Sequence, residues 1–445
     1  MEETTKDLKR DNPEIKDKLI ADYLARAYNV ITLNFVKNEE DFNNQLKYNS
    51  IKENRQAQNL DYEQIEEINN KKLNNYNPKF THQLFGDEES IYGYKDLSID
   101  IYFTAGRLQK YIKIEYEDKM PDADNFMLKF DEWFFGTYTT DIQNFRQQLK
   151  VEEIFVPTGQ ICEQYEINGE QYKIYKSDNQ CDGFDELRVN SWPILLFAIE
   201  VASYCNTSDY WTYFTIYKES PNKQNIFVGL LTMTEFHIDL NYKRNRISQV
   251  FILQQYQRQG HGLRITESVY KQSIQDEFCL QITIEDCSPE FQAVRDVVET
   301  KLVMESRYLK WLEEYQPQSI CIPTILDQIK LDNNLVQAMR KKLKLPSFSI
   351  YRAFEILLLS RIKVDNPKLV ELVKKKISDR IKNQMQHPPR KIPFLCLDKQ
   401  IVKFDVETIT QLQNKQLNQE QFYQKDTEFT LDQYKVALKK LNLLK

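Results

Sequence analysis

The sequence feature that most restricts the fold of this chain is a pair of glycines, Gly260 and Gly262, with one residue between them. The chain has only 10 glycines in 445 residues, so a pair within QRQGHGL (257–263) marks a turn or a close approach of the backbone. The preceding residues 246–253 (RISQVFIL) predict a strand, and residues 263–274 show helical spacing of apolar side chains. The sequence therefore predicts a tight strand-to-helix turn.

Such a turn suits a ligand that carries phosphate. The first N–H groups of a helix lack partners within the helix, and the helix dipole is positive at that end. The spacing does not fit a Walker A loop, and it is too short for the G-x-G-x-x-G pattern. It does fit Q/R-x-x-G-x-G/A through Gln257, Gly260 and Gly262. A glycine turn needed only for steric reasons is the alternative that the local pattern leaves open.

Composition limits the class of protein. The net charge is -6, so we expect a basic partner and no direct binding of nucleic acid. No apolar run approaches the roughly 20 residues of a membrane span, and the N-terminal stretch lacks the apolar core of a secretory signal. The seven cysteines include no CxxC pair, so we expect no metal site and no disulfide framework, as in a reduced intracellular protein.

Periodicity divides the chain into four predicted parts. Residues 1–75 are rich in Asn, Lys and Glu and predict an arm of low packing potential, with one local element at 24–35. The other parts are a mixed α/β domain at 76–180, a core at 181–306 and a domain of amphipathic helices with basic clusters at 307–445.

Within these parts, alternating and β-branched runs predict strands, and two longer apolar patterns predict helices. The strands are predicted at 98–105, 108–116, 211–217, 226–232, 246–253 and 280–284, and the three between 211 and 253 are predicted to form an antiparallel meander. Residues 188–205 predict a buried helix, and residues 288–302 predict another.

Five ordered blocks resemble the catalytic subunit of type B histone acetyltransferases, which belongs to the GNAT superfamily of N-acetyltransferases. They are THQLFGDEESIYGY (81–94), IYK with a Cys-x-Gly-Phe unit (174–184), FAIEVASY (197–204), the strand with the glycine loop (246–263) and IEDCSPEFQAVRD (284–296). The resemblance implies an α+β fold of the GNAT type. Its central sheet would be mixed and mostly antiparallel and flanked by helices, with a mixed N-terminal domain and a helical C-terminal domain added.

The resemblance also implies acetyl-CoA as cosubstrate. Its phosphates would lie on backbone N–H groups of the loop, namely Gln257, Arg258, Gln259, Gly260, His261, Gly262 and Leu263. Its pantetheine arm would pair with the backbone of Val250, Phe251 and Ile252 like an added strand. The His261 side chain is a tempting base, but the useful groups of this loop are backbone amides.

Acetylation of a lysine requires removal of a proton from an ammonium whose pKa is about 10.4, and a carboxylate can accept it. By resemblance, Glu285 is the candidate base and Asp286 follows it. Glu200 matches a second carboxylate near the active site, and its place in the apolar run LLFAIEVAS is costly unless it is paired or functional. A strand-end salt bridge for Glu285 and a solvent-facing helix position for Glu200 are the alternatives.

A basic tail needs an acidic surface. The resemblance assigns tail contacts to Asp87, Glu88 and Glu89, to Thr234, Glu235 and Phe236, and to Trp211. A solvated turn for the acidic run and a core position for Trp211 are the alternatives. Two departures from the family pattern stand near the site, where Arg258 replaces a small residue and Cys287 replaces a proline.

The implied function is acetyl-CoA-dependent N-acetylation of a lysine in the N-terminal tail of newly synthesised free histone four. The family uses direct transfer in a ternary complex with a glutamate base. The resemblance further implies a WD-repeat histone-binding subunit and histone chaperones as partners, and activity in the nucleus and cytoplasm. Two alternatives remain open, namely an acetyltransferase of the same fold for another amine and a non-catalytic histone-binding chaperone component.

Overall fold

The computed structural model describes residues 21–56, 75–206, 210–238, 241–314, 330–361, 367–386 and 419–443. The rest of the predicted N-terminal arm lies outside the described residues, as do parts of the predicted C-terminal domain. The chain divides into two compact units. One holds Met1–Ile238 and Asn245–Val269, and the other holds Asp239–Arg244 and Tyr270–Lys445.

A five-stranded mixed sheet organises the N-terminal half of the first unit. Its order is β3-β2-β6-β7-β9, with β2 parallel to β6 and β6 antiparallel to β7. The strands of this half are β1 (Leu24–Arg26), β2 (Ile31–Val36), β3 (Asn75–Tyr76), β4 (Ser90–Tyr92), β5 (Tyr94–Lys95), β6 (Ser98–Thr104), β7 (Lys110–Glu115), β8 (Asp118–Lys119) and β9 (Tyr138–Thr139). The helices are α1 (Ala27–Val30), α2 (Glu39–Gln56), α3 (His82–Phe85), α4 (Phe126–Trp133) and α5 (Ile142–Glu152).

The local element predicted at 24–35 is present as β1, α1 and most of β2, whereas the prediction of a weakly packing arm is wrong for α2. Every residue of β2 is buried, and β2 lies inside the sheet between β3 and β6. Phe42 of α2 is fully buried against Tyr102 and Phe145. The average composition of residues 1–75 is polar, but it conceals one strand whose buried Asn34 finds a hydrogen bond from its Nδ2 to the Thr32 carbonyl.

A second sheet occupies the rest of the first unit. Its strands β10 (Gln160–Ile167), β11 (Glu170–Asp178), β12 (Trp211–Glu219), β13 (Asn225–His237) and β14 (Lys243–Ile252) follow one another in chain order. The pairs β10–β11, β11–β12 and β12–β13 are antiparallel. The predicted meander is confirmed, and the two strands that precede it extend the same pattern.

One apolar core serves both sheets of the first unit. Helix α6 (Phe184–Ala198), predicted from the apolar run, is buried along its last three turns and contains Pro193. Its Trp192 and Leu195 share a core cluster with Leu33 of β2 and with Phe251 of β14. The division of the chain into four parts stays a prediction.

The second unit contains β15 (Cys279–Ile284) and helices, and every regular element described after residue 307 is a helix. The helices are α7 (His261–Gln275), which begins in the first unit, α8 (Pro289–Glu305), α9 (Lys310–Glu314), α10 (Asn333–Leu343), α11 (Ser347–Ser360), α12 (Pro367–Gln386) and α13 (Gln419–Lys440). Buried ion pairs join them, since Arg352 of α11 donates to both oxygens of Asp296 at 2.8 and 2.6 Å, and Arg380 of α12 donates to Glu355. None of the helices within the described ranges is long and apolar enough to cross a bilayer.

A buried lysine makes the stability of this fold depend on pH. Lys110 is 1% exposed and donates through Nζ to Asn190 Oδ1 at 2.8 Å. Burial lowers the pKa of Lys110 from 10.5 to about 7. The unfolded chain therefore holds this proton between about pH 7 and 10.5 while the folded chain has released it, so stability should rise with pH across that window.

We expect Lys110→Met to remove this pH dependence. Denaturant unfolding at pH 7, 8 and 9 should show a contribution of up to about 1.4 kcal/mol per pH unit in the wild type that the variant lacks. Lys150→Met, at an exposed position of α5, is the control and should keep the wild-type slope. Parallel curves for Lys110→Met and wild type would contradict the assignment.

Candidate functional site

A short loop turns the chain from β14 into α7. Strand pairing ends where the Leu253 N–H donates to the Val228 carbonyl at 2.9 Å, and a single 3-10 turn, Gln254–Tyr256, follows. The side chain of Gln257 then reaches back and donates to the Ile252 carbonyl at 2.8 Å. The glutamine of the sequence pattern therefore closes the loop onto the end of its own strand.

The two glycines of the loop have different reasons to be glycine. Gly260 has φ +103°, a conformation that side chains with a Cβ rarely adopt. Gly262 lies in the first turn of α7 without a positive φ, and a Cβ placed on it would meet no atom within 4 Å. Neither conformation nor packing requires glycine at 262, although glycine inside a helix costs about 1 kcal/mol relative to alanine. The open space beside Gly262 is what a closely approaching ligand needs.

The N-terminus of α7 faces this open space with backbone donors. The first N–H that bonds back along the helix is that of Arg264, which donates to the Gly260 carbonyl at 3.1 Å. The N–H groups of His261, Gly262 and Leu263 precede this bond and have no acceptor within the helix. Three amides at the positive end of a 15-residue helix form a site for an anion.

Strand β14 is held close to β13 beside the loop. A Cβ on Gly229 of β13 would lie 2.4 Å from the carbonyl oxygen of Phe251, so only glycine permits this approach. The register between β12 and β13 shifts at the same place, where Gly229 pairs with Ile216 and Phe227 pairs with Tyr217. This bulge bends β13 where the predicted cosubstrate strand residues, Val250 to Ile252, end β14.

The side chain of His261 points away from the open face of the loop. It is 1% exposed, its Nδ1 lies 2.8 Å from Tyr165 Oη, and its ring centroid lies 4.5 Å from that of Tyr172. Burial lowers the pKa of His261 to about 4. The imidazole is therefore neutral near pH 7 and turned into the protein, which agrees with the expectation that the loop works through its backbone.

Two glutamines from distant parts of the chain hold the segment that carries Glu200. Gln83 of α3 donates to the Ala202 carbonyl at 3.0 Å and accepts from the Ala202 N–H at 3.2 Å. Gln249 of β14 donates to the Ser203 carbonyl at 2.7 Å. Residues 200–204 are thus fixed between the block at 81–94 and the strand that precedes the loop.

Glu200 itself is exposed, because α6 ends at Ala198 and the chain turns outward. The predicted helix bounds of 188–205 are wrong at their C-terminal end, and Glu200 lies in solvent just outside the helix. A run of apolar letters continued past the helix end, and sequence alone did not show where the backbone leaves the core. The position remains compatible with a carboxylate that meets a ligand from solvent.

Glu285 and Asp286 lie in the second unit. Both are exposed and directly follow β15, and Asp286 adopts a positive φ of 32° that side chains rarely take. Cys287, which stands where the family has proline, is partly buried, and burial raises its pKa to about 11. The thiol is therefore inert at neutral pH. Ser288 caps α8 by accepting from the Phe291 N–H at 3.2 Å.

The acidic run at 87–89 is divided in its roles. Glu89 is partly buried, and its carboxylate accepts from the Thr81 N–H at 2.9 Å and from Thr81 Oγ1 at 2.5 Å. These bonds, chiefly the one from the Thr81 hydroxyl, lower the pKa of Glu89. Glu88 is exposed and lies 3.6 Å from Arg26, and Asp87 is exposed. Glu89 therefore has a structural partner, and Asp87 and Glu88 face solvent.

The structure brings Trp211 and Thr234 together as direct cross-strand partners of β12 and β13. Thr234 is buried, and Trp211 packs partly buried against the cluster of Phe184 and Tyr213. Phe236 lies two residues further along, with the Arg246 guanidinium 4.4 Å from its ring centroid. Glu235 between them is half-buried. These residues share one end of the β12–β13 pair.

Sequence analysis missed three residues that shape the site, namely Gln83, Gln249 and Tyr165. Gln83 lies in a short block and Gln249 in a predicted strand, where alternation suggests an ordinary position, whereas no strand was predicted at Tyr165. Gln83 lies in the family-like block THQLFGD, which was the available clue to its importance. Gln249 and Tyr165 gave no clue, because their partners are 46 and 96 residues away.

Comparison with known proteins gives a consistent result. A family model described as "Histone acetyl transferase HAT1 N-terminus" matches residues 23–200. Over 305 residues the chain is 30% identical to the rat and 29% identical to the human "Histone acetyltransferase type B catalytic subunit". Each match covers 65% of this chain and 66% of the relative, which is just under two thirds of its length. The Candida albicans protein of the same name is 26% identical over 69% of this chain and 78% of its own.

The divided roles of the acidic run can be tested by stability. We expect Glu89→Gln to lower the free energy of unfolding by about 1 kcal/mol at pH 7, because a charged acceptor of two hydrogen bonds becomes neutral. Since the pKa of Glu89 is lowered in the folded state, this contribution should be present near neutral pH and should vanish as pH falls through that pKa.

Urea unfolding at pH 7 and pH 3 measures the difference. Asp87→Asn is the matched control and should not change stability, since Asp87 is exposed. Equal stability of Glu89→Gln and Asp87→Asn at pH 7 would show that the Thr81 contact contributes nothing.

Proposed function

Since the chain belongs to the family of histone acetyltransferase type B catalytic subunits, we propose that it transfers the acetyl group of acetyl-CoA to a lysine of a histone tail. The proposed substrate is the N-terminal tail of free, newly synthesised histone four. The observation that carries the proposal is the open face over Gly262 beside the amides of His261, Gly262 and Leu263.

The loop fits a pyrophosphate. A pyrophosphate carries negative charge and several acceptor oxygens, and it needs donors that approach closely without side chains between. Three amides that precede the first intrahelical bond supply the donors, and Gly262 leaves the space. Among the described residues no group of three or more His, Cys, Asp or Glu side chains is placed to hold a metal ion.

The proposed site for the pantetheine arm is the end of β14, at Val250, Phe251 and Ile252. An extended arm can add to a strand through main-chain hydrogen bonds, as peptides do at sheet edges. The approach of β13 at Gly229 and the bond from Gln257 to the Ile252 carbonyl fix this strand end relative to the loop. Because the pantetheine arm and the pyrophosphate belong to one molecule, the end of β14 and the loop must keep a fixed distance from each other.

When bound, acetyl-CoA supplies the acetyl group as a thioester. In the proposed reaction the neutral lysine amine forms a C–N bond with the thioester carbonyl carbon, the C–S bond breaks and the thiolate leaves. Glu285 is proposed to take the proton from the lysine nitrogen as general base, and its exposed position after β15 leaves it accessible. Asp286 and Glu200 are proposed as further carboxylates of the site. Transfer is direct, within one complex of both substrates.

The proposed tail contacts are revised by the geometry. Asp87 and Glu88 are exposed and suit the basic side chains of a tail, whereas Glu89 is bonded to Thr81 and supports the turn that presents them. Trp211 and Thr234 with Glu235 and Phe236 form one end of a strand pair where a peptide can lie. We propose the same residues as the second contact region.

The proposal also covers the fold, the partner proteins and the location in the cell. We propose that β10–β14 and their helices take the GNAT arrangement, that residues 181–306 form its core and that the chain works with a WD-repeat histone-binding subunit and histone chaperones. Activity in the nucleus and cytoplasm is proposed on the same family membership. The two other functions, acetylation of another amine and histone binding without catalysis, remain as outcomes of the test below.

The function is tested by mass spectrometry of a histone four tail peptide after incubation with the protein and acetyl-CoA. We expect a gain of acetyl groups on lysine, and a loss of at least about a hundredfold in rate with Glu285→Gln, in the range of general-base catalysis. If Glu200→Gln abolishes transfer while Glu285→Gln does not, the base is assigned wrongly. Binding of the peptide without transfer would support the non-catalytic role, and transfer to spermine or an N-terminal peptide in preference to the tail would support another amine.

The open face of the loop gives an independent test. We expect Gly262→Leu to raise the KM for acetyl-CoA by about tenfold or more while thermal stability stays equal or rises. A Cβ at position 262 meets no protein atom within 4 Å and leucine favours helix, but the rest of the side chain extends into the space assigned to the pyrophosphate. Gly262→Ala is the matched control, since the loop pattern accepts alanine, and its KM should stay near the wild-type value. A Gly262→Leu protein with unchanged KM would show that the ligand does not approach this face.

A further inference from the structure

We infer that the hairpin β10–β11 positions the glycine loop through Tyr165 and His261, so that affinity for acetyl-CoA depends on a tyrosine hydroxyl that bonds to His261 on the side facing the protein interior. Tyr165 and His261 act here as positioning residues and not as catalytic residues. The inference rests on the proposed function, because it concerns the loop assigned to the pyrophosphate.

The contact lies at the first residue of α7. The backbone N–H of His261 is one of the three proposed donors, while its side chain is buried in a group of three tyrosines. Its ring centroid lies 4.5 Å from that of Tyr172 and 5.9 Å from those of Tyr165 and Tyr256. The position of this side chain therefore sets the position of the first donor amide.

Tyr165 provides the polar contact that orients this ring. Its Oη lies 2.8 Å from His261 Nδ1, while Nε2 is buried and has no hydrogen-bond partner among the described residues. Aromatic packing alone leaves a ring free to turn within its pocket, whereas a hydrogen bond at one nitrogen selects one orientation. Without the Tyr165 hydroxyl, both ring nitrogens of His261 would be buried without a hydrogen-bond partner among the described residues.

The rest of the hairpin contact lies on the same face of α7. His261, Arg264 and Ser268 follow one another at helical spacing along that face. The Arg264 guanidinium lies 5.8 Å from the Tyr165 ring centroid, and Ser268 Oγ lies 3.5 Å from Cys162 Sγ. Cys162 lies between Ile161 and Glu163, where the β10–β11 register shifts. The edge strand β10 therefore seats the first two turns of α7.

Two glutamine side chains brace the loop before α7, since Gln257 donates to the Ile252 carbonyl and Gln259 donates to the Gln255 carbonyl, but neither of them bonds to Gly260 or His261. Arg258 and Gln259 are exposed, Arg258 has a positive φ of 61°, and Gly260 has φ +103°. A glycine hinge next to the donor amides would let them spread in solution, at an entropic cost when they gather around an anion. An anchor at His261 removes that cost before the ligand arrives.

The test compares Tyr165→Phe with Tyr175→Phe. Tyr175 is on the same hairpin and similarly buried, but strand alternation places it on the face opposite Tyr172, and its ring meets Tyr217. We expect Tyr165→Phe to raise the Kd and KM for acetyl-CoA about fivefold, with kcat and the KM for the tail peptide within about twofold, since one hydrogen bond is lost. Tyr175→Phe should match the wild type.

Acetyl-pantetheine separates positioning from general damage, because it has the thioester arm but no pyrophosphate. Its kcat/KM should be equal in wild type and Tyr165→Phe, since the affected amides serve the pyrophosphate. His261→Phe removes the same bond from the other side while keeping an aromatic ring, and it should show the same rise for acetyl-CoA. The inference is overturned if Tyr165→Phe and His261→Phe bind acetyl-CoA as tightly as the wild type. It is also overturned if the variants lose as much kcat/KM with acetyl-pantetheine as with acetyl-CoA. Wild-type protein that does not bind acetyl-CoA overturns the proposed function as well.

Discussion

The close approach of β13 and β14 at Gly229 is the constraint on which the rest of the site depends. A side chain at 229 would collide with the Phe251 carbonyl, so a glycine and a bulge in β13 are needed to bring the two strands together there. Just after β14 ends, the Leu253 N–H donates to the Val228 carbonyl, and the chain turns into the loop. The place where the loop begins is therefore set by a contact on the neighbouring strand.

Polar side chains from distant segments complete what this contact begins. Gln83 and Gln249 fix the chain that carries Glu200, and Gln257 fixes the loop to its own strand. Each uses an amide side chain, which can both donate and accept; Gln83 and Gln249 bond to backbone groups of the irregular chain at 202–203, and Gln257 bonds to the carbonyl of the last residue of β14. The irregular segments around the site are ordered by glutamines because they have no secondary structure of their own to satisfy their backbone groups.

Much of the fold was readable from the sequence, and the errors share one cause. The strands at 98–104 and 211–252, the helix at 261–275 and the buried helix ending at Ala198 follow from periodicity and apolar runs. The packing of α2 was missed because Phe42 stands in a long polar context that dominated the average. Glu200 was placed inside a helix because apolar letters continue past its end. Both errors come from averaging over a window where one residue decides.

The sequence by itself determined the chemistry that the site can offer. The order strand, glycine loop and helix identifies free amides at a helix N-terminus, and carboxylates at fixed places along the chain identify candidate bases. Local hydrogen-bonding patterns and covalent order specify these features. Tertiary structure decided which groups are available. It turned the His261 ring inward to Tyr165, occupied Glu89 with Thr81, exposed Glu200 and left open space beside Gly262. Each of these outcomes depends on which distant segments of the chain lie close to the residue in the fold and which do not. No local sequence pattern encodes that information.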